Sequence, residues 1–87
     1  MMNEIIIGYF AKANKGHDTD NYYVIIQEDK EYVYLVDGRI RTLERPKKKK
    51  KKHVSILPEY DQSILNKVKN SSIKNEEIKR AIKLLKC

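Results

Sequence analysis

The stretch YVYLVDGRIRTLERPKKKKKKH, residues 32–53, decides the predicted fold of this 87-residue chain. Its first five residues have strong strand propensity, and Asp37-Gly38 tolerates the positive φ angles of a two-residue hairpin turn. The flanking runs should therefore pair, which makes RIRTL, residues 39–43, a fourth strand. Alternation along that strand places Arg39 and Arg41 on an outward face. Pro46 should end the strand, since proline lacks the amide donor that a ladder needs.

The segments on either side of this stretch predict further strands. Runs rich in β-branched and aromatic residues, bounded by turn-forming residues, lie at residues 4–12, 22–27, 31–36 and 53–57. No crossover helix fits before residue 58. Five short strands joined by tight turns predict a mainly β fold, a small and partly open five-stranded barrel.

After Pro58 the hydrophobic pattern acquires the period of a helix. A first helix should start there and end near residues 70–72. A second should begin at Asn75 as its N-cap and carry an apolar face of Ile78, Ala81, Ile82 and Leu85. That face either binds a partner protein or packs on the barrel. We expect it to pack on the barrel, because so small a barrel needs a helix to cover its core. The chain thus divides into a barrel, residues 1–57 with a basic loop at 44–53, and a helical extension, residues 58–87.

The net charge of +7 is concentrated in one segment. Residues 1–38 carry three lysines against seven acids, residues 39–56 carry nine bases against Glu44, and the remainder carries seven bases against four acids. A basic segment beside an acidic body predicts a polyanionic partner, bound through charge steering and counterion release. RNA, DNA, an anionic membrane and an acidic protein all satisfy this requirement.

The lysine run (residues 47–52) has a simpler explanation as a solvated loop, a linker or a localisation signal. Pro46 and His53 fix the run between two predicted strands, however, and three arginines before Pro46 extend the charge onto ordered backbone. Anchored lysines neutralise phosphates and arginines bind them bidentately, so we favour contact with a polyanion.

Five tyrosines lie on the predicted strands, where aromatic rings can stack on unpaired bases. In a small barrel most aromatic side chains instead fill the core or pack across strands. Tyr22, next to the first loop, is the best candidate for an exposed stacking platform.

His17, Asp18 and Asp20 are residue types that ligate metals or transfer protons. They lie close together in a predicted turn, and the sequence offers no second cluster to complete a site. Turn formation explains all three, so we expect no enzyme, no metal and no cofactor, and we expect His17 to donate to a phosphate. Cys87 is the only cysteine, which excludes an internal disulfide. The N-terminus, MMNEIIIGYF, lacks the pattern of a signal peptide or a membrane span and predicts a cytoplasmic protein.

From residue 5 to about residue 56 the chain resembles the KOW-motif proteins. The matching residues are Gly8, Gly16-His17-Asp18, the strand at residues 22–25 and the block at residues 32–53. The family usually has a glycine four positions after Gly16, where this chain has Asp20. The resemblance implies an SH3-like barrel of the bacterial stand-alone type, similar to large-subunit ribosomal proteins of archaea and eukaryotes. It also implies RNA binding in the translation apparatus.

We therefore expect a non-catalytic RNA-binding protein associated with the ribosome. Its expected partners are structured ribosomal RNA and ribosomal proteins, with no membrane and no small-molecule substrate. The alternative is a protein-interaction adaptor of the SH3-like type in the translation or transcription machinery, since a fold does not fix function. Membrane attachment is disfavoured because no apolar anchor accompanies the lysines. The expected RNA-binding residues are Lys12, Lys15, His17, Tyr22, Arg39, Arg41, Arg45, Lys47, Lys48, Lys49, Lys50, Lys51, Lys52 and His53.

Overall fold

Five β-strands and two α-helices make up the described part of the chain, residues 6–13 and 21–86 of a computed structural model. The strands are β1 (Phe10–Ala13), β2 (Tyr22–Glu28), β3 (Tyr32–Val36), β4 (Lys47–Lys50) and β5 (Val54–Ile56). A 3-10 helix at Lys51–His53 joins β4 to β5, and α1 (Gln62–Lys69) and α2 (Asn75–Lys86) follow. The predicted order of five strands and then two helices is confirmed.

The sheet is antiparallel, and its strand order β4-β3-β2-β1-β5 places β4 and β5 at the two edges. In a flat sheet of five strands these edges would be roughly 19 Å apart, because neighbouring strands are separated by about 4.8 Å. Yet only three residues link β4 to β5. The four Cα–Cα steps from Lys50 to Val54 therefore span at most about 14 Å at full extension. The sheet is therefore strongly curved. No ladder joins β4 to β5 within the described residues, so the sheet does not close into a barrel.

Two predicted strands differ from the structure: residues 6–9 lie before β1 rather than in it, and the fourth strand occupies another segment. Residues 39–43 form no strand, and the first four lysines of the lysine run pair with β3 instead. Gly38, at φ 80°, lies against α2 rather than in a two-residue hairpin turn. A Cβ on Gly38 would lie 2.3 Å from the carbonyl oxygen of Asn75, so a long-range contact requires glycine here. Pro46 precedes β4, a position that tolerates its missing amide donor.

A bulge bends β2 in its middle. The ladder with β3 pairs Ile25 with Leu35 and then Gln27 with Tyr34, which leaves Ile26 as an extra residue. An extra residue on one strand increases the local twist and bends that strand. The bulge thus contributes to the curvature that the short link between β4 and β5 demands.

The sheet buries one apolar cluster on each side. The cluster between the sheet and the helices has the buried residues Phe10, Val24, Val36, Ile64, Val68, Ile78, Ala81 and Ile82. The cluster on the other side has the buried residues Ile6, Ala11, Tyr23, Ile25, Val33 and Leu35. Full burial of one such aliphatic side chain stabilises the fold by about 1.5–3 kcal/mol. The apolar face of α2 therefore covers the sheet, as its residue spacing predicts.

Hydrogen bonds fix both ends of α1. The carboxylate of Asp61 accepts from the amides of Ser63 and Ile64, at 2.8 and 3.4 Å, and so caps the N-terminus. At the C-terminus Ser71 has a left-handed φ of 58°. The amide of Ser72 donates to the carbonyl of Lys67, which is the six-to-one bond of a Schellman motif.

The start of α2 differs from the predicted cap. Asn75 is the first helical residue, and its side chain bonds to a distant loop rather than to its own helix. Lys74 occupies the capping position, since its carbonyl accepts from the amides of Glu77 and Ile78. The carboxylate of Glu77 reaches back to the amide of Lys74 at 3.0 Å. This is the acidic half of a capping box.

Candidate nucleic-acid interface

The lysine run forms an ordered edge of the sheet instead of the expected loop. Lys47 and Lys49 in β4 are half-buried, whereas Lys48 and Lys50 are exposed, because side chains of a strand alternate between its faces. The residues opposite them on β3 are Leu35, Tyr34, Val33 and Tyr32. The same alternation continues into the 3-10 helix, where Lys51 is half-buried and Lys52 is exposed.

Tyrosine rings on β2 and β3 contact two of these lysines. The Nζ of Lys47 lies 5.8 Å from the ring centre of Tyr23, and the Nζ of Lys48 lies 4.4 Å from that of Tyr32. Cation–π contacts are worth about 0.5–1 kcal/mol at exposed sites. Tyr23 is buried in the cluster away from the helices, so its ring serves packing rather than base stacking.

The 3-10 helix, residues Lys51–His53, lies next to the turn between β2 and β3. Lys51 forms an ion pair with Glu28 at 2.6 Å, and its amide donates to the carbonyl of Glu31. The half-buried His53 closes the 3-10 helix. A shallow cavity of about 350 Å³ is lined here by Lys30, Glu31, Lys50, Lys51 and Lys52. Lys30 thus lies beside the lysine run, a position that its place in the sequence did not indicate.

The arginine loop (residues 37–46) occupies the opposite end of β4. One carboxylate oxygen of Asp37 accepts from the amides of Arg39 and Arg41, each at 2.9 Å. The carbonyl of Arg41 in turn accepts from the amides of Asp37 and Gly38. Arg39, Ile40 and Arg41 are all exposed, so the predicted separation of the arginines from Ile40 onto two strand faces does not occur.

The second half of the arginine loop is tied to α2 by Asn75. The Oδ1 of Asn75 accepts from the amide of Leu43 at 2.8 Å, and its Nδ2 donates to a carboxylate oxygen of Glu44 at 3.1 Å. The hydrogen bond from Asn75, followed by bonds from the Glu44 backbone and Thr42, lowers the pKa of Glu44 below its usual value. Glu44 therefore remains ionised beside the exposed Arg45.

A second cavity, the Tyr22 groove, lies between the start of β2, the arginine loop and α2. It has a volume of about 330 Å³, and its lining residues are Asn21, Tyr22, Asp37, Arg39, Lys79, Ile82 and Lys83. Lys12, on the neighbouring strand, places its Nζ 5.5 Å from the ring centre of Tyr22. The structure thus brings the predicted residues Lys12, Tyr22 and Arg39 together.

Lys79 and Lys83 were missed as candidate site residues. The sequence alone predicts that they share one face of α2, because they are four residues apart. Their position beside Tyr22 depends on how α2 docks on the sheet. Gly38 permits the close approach of α2 through a contact between residues far apart in the chain.

The basic residues of the arginine loop and the lysine run form a band along the β4 edge of the sheet. β4 runs antiparallel to β3, so Lys47 lies at the end where β3 enters the arginine loop, and Lys50 lies opposite Tyr32 at the other end. The two Cα atoms are about 10 Å apart, given the usual rise of a strand. Lys15 and His17, together with Asp18 and Asp20, lie outside the described residues.

The described ranges contain neither a metal-binding cluster nor a membrane-spanning helix. No group of three or more histidine, cysteine, aspartate or glutamate residues there is arranged to hold a metal ion. None of the described helices is both long enough and apolar enough to cross a bilayer. A scan against protein-family models finds no match for the chain, and a search of the curated proteins finds no match either.

Proposed function

We propose that this chain is a non-catalytic, cytoplasmic RNA-binding protein of the KOW-motif type that binds structured ribosomal RNA in association with the ribosome. The observation that carries the proposal is the lysine run in its ordered form. Four of its six lysines form an edge strand, and the other two continue directly into the 3-10 helix. The backbone that carries these lysines therefore has a fixed position relative to the sheet.

Fixed positions matter because a free polylysine segment loses backbone entropy when it binds, about 1–2 kcal/mol for each residue that becomes ordered. A lysine strand has already lost that entropy on folding. Its exposed ammonium groups on Lys48, Lys50 and Lys52 can approach a phosphate backbone while only their side chains become ordered. Phosphate contacts of this kind supply affinity without reading sequence.

Shape then provides the selectivity. The deep and narrow major groove of A-form RNA keeps side chains from the base edges, so proteins recognise such helices through phosphates and 2′-hydroxyls. The basic band extends from the arginine loop along β4 to Lys30, which suits contact with a run of phosphates rather than with one group.

The curvature of the sheet supports the SH3-like part of the proposal. Five antiparallel strands with a three-residue link between the two edge strands give a strongly bent sheet. The block at residues 32–53, which carries most of the resemblance to the KOW motif, lies on β3, the arginine loop, β4 and the 3-10 helix. Fold alone does not distinguish an RNA-binding protein from an adaptor, so the test must.

The test uses the triple variant Lys48→Gln, Lys50→Gln and Lys52→Gln, which alters only exposed lysines of the run. Binding to a fluorescently labelled RNA hairpin is measured by anisotropy at several salt concentrations. Each lost phosphate contact should reduce the slope of log affinity against log salt by about 0.7–0.9. Loss of three contacts should therefore reduce it by roughly 2–3.

A matched control removes three exposed cations elsewhere, with Lys69→Gln, Lys74→Gln and Arg80→Gln. It changes the net charge equally but leaves the lysine run intact, so its slope should stay close to that of the unmodified chain. Equal slopes for both triple variants would show that only total charge matters and would overturn the assignment to the lysine run. If the chain binds no RNA at low salt and instead co-purifies with a protein in a complex that resists nuclease, the adaptor is favoured.

A further inference from the structure

We propose that the Tyr22 groove binds one unpaired nucleotide of the RNA, with the base against the Tyr22 ring and its phosphates on Arg39, Lys79 and Lys83. This inference rests on the proposed RNA-binding function and adds a recognition element to it. The lysine run contacts phosphates of a helix, whereas the groove would recognise a base that has left the stack.

The groove offers an aromatic ring and an apolar floor. Tyr22 is half-buried and lines the cavity, and the buried side chain of Ile82 contributes from α2. Lys12 approaches the Tyr22 ring from β1, while the cavity is bordered by Asp37 and Arg39, which follow β3 on the other side of β2. Stacking on an aromatic ring is available to any base because every base has a π-face.

Cations surround this ring on the cavity side. Arg39, Lys79 and Lys83 line the groove and are exposed, and Asp37 is the one acidic residue among its lining residues in the described chain. One oxygen of Asp37 already accepts two backbone amides of the arginine loop. The excess of positive charge fits a phosphate-bearing ligand rather than a neutral or cationic one.

Polar groups and size are compatible with a nucleotide. Asn21 can both donate and accept hydrogen bonds at a base edge, and Asp37 can accept them. The cavity volume of about 330 Å³ is at the lower end of small-molecule sites, which measure about 300–1,000 Å³. One nucleotide, rather than a longer segment, fits this space.

The groove is preformed by contacts between the arginine loop and α2. Gly38 lets the loop approach α2 so closely that any Cβ would overlap the carbonyl of Asn75. Asn75 then holds the amide of Leu43 and the carboxylate of Glu44. Because these contacts fix the walls before binding, little conformational entropy is lost when the ligand enters.

The experiment compares two RNA duplexes of the same sequence, one with a single bulged nucleotide and one without. The unmodified chain should bind the bulged duplex about 5- to 150-fold more tightly, the range expected for one stacked base. Tyr22→Leu keeps an apolar side chain but removes the ring, and Lys79→Gln with Lys83→Gln removes two cations. Both variants should lower the affinity for the bulged duplex while changing that for the plain duplex much less.

A double control, Lys74→Gln with Arg80→Gln, changes the charge equally at and near α2 but outside the lining of the groove. It should preserve the preference for the bulge. In addition, 5-iodouridine at the bulged position should photo-cross-link to the peptide that contains Tyr22. Circular dichroism establishes that each variant is folded.

The outcomes separate this inference from the proposed function. Equal affinity of the unmodified chain for both duplexes would overturn the groove while leaving RNA binding intact. An equal loss for both duplexes in the Lys79 and Lys83 variant would also overturn it, since those lysines would then act only through charge. Binding to neither duplex would refute the RNA-binding function and the groove together.

Discussion

Replacement of Asn75 by alanine should release the arginine loop from α2. Two hydrogen bonds are lost, and the partly buried amide of Leu43 is left without its acceptor. An unsatisfied buried donor costs about 1–3 kcal/mol. Alanine is a better helix former than asparagine by up to about 0.7 kcal/mol, which offsets part of this loss. We expect a net decrease of roughly 0.5–2 kcal/mol in the free energy of unfolding, measured by urea denaturation.

Two local measurements identify the cause. The amide of Leu43 should exchange with solvent faster in Asn75→Ala, since its hydrogen bond is gone. The pKa of Glu44, which the Asn75 side chain lowers, should rise toward its usual value. A carboxyl with a lowered folded-state pKa contributes stability above its unfolded-state pKa, and that stability disappears as the pH falls through the folded-state value. The acid dependence of stability from Glu44 should therefore weaken in the variant.

Asn75→Asp is the matched control for these measurements. It keeps the oxygen that accepts from Leu43, so the amide should stay protected. It removes the donor to Glu44 and places a second carboxylate beside it, so the pKa of Glu44 should rise further than in the alanine variant. If Asn75→Ala changes neither the exchange of Leu43 nor the titration of Glu44, the proposed tie between loop and helix is refuted.

Three further substitutions test the backbone and the core, each by the urea midpoint at constant m value. Gly38→Ala should cost at least about 2 kcal/mol, because a left-handed φ is strained for alanine and its Cβ would overlap Asn75. Ser71→Gly should stabilise the fold by about 0.5–1 kcal/mol, since it relieves the left-handed serine. A stabilising effect of Gly38→Ala or a destabilising effect of Ser71→Gly would contradict the assigned backbone geometry. Ile78→Ala, at a fully buried position, should cost about 2–5 kcal/mol. A loss below about 1 kcal/mol would mean that α2 is not docked on the sheet.

Local sequence patterns were sufficient for the elements with strong β propensity or with regular helical spacing. The β-branched and aromatic runs of β2 and β3 predicted both strands to within a residue. The spacing of Ile78, Ala81 and Ile82 predicted both α2 and its covering role. In these segments intrinsic propensity and tertiary packing favour the same structure.

The fourth strand could not be predicted in this way, because local and long-range preferences disagree there. Six adjacent lysines favour a solvated loop by propensity and by mutual repulsion. In the structure the backbone of β3 needs a partner for its ladder, and β4 supplies it while Tyr23 and Tyr32 contact lysine head groups. A run of identical side chains shows no alternation, so it does not indicate that the run pairs with a strand a dozen or more residues away.

The Asp-Gly pair was misinterpreted for a related reason. Positive φ at Gly38 was predicted, but a short turn and a helix contact both require it. The choice depends on Asn75 and Lys79, which lie far along the chain. The same dependence concealed the Tyr22 groove, since Lys79 and Lys83 reach Tyr22 only when α2 is docked.

The lysine edge has a consequence for how copies of this chain meet one another. An open sheet edge exposes backbone groups that can pair with the edge of a second molecule, which is a common route to aggregation. Two copies joined through β4 would place lysine opposite lysine, and like charges directly opposite one another destabilise a ladder. The repulsion weakens at high salt or when polyanions neutralise the lysines. Low ionic strength should therefore keep the free protein dispersed, and added salt should promote its self-association.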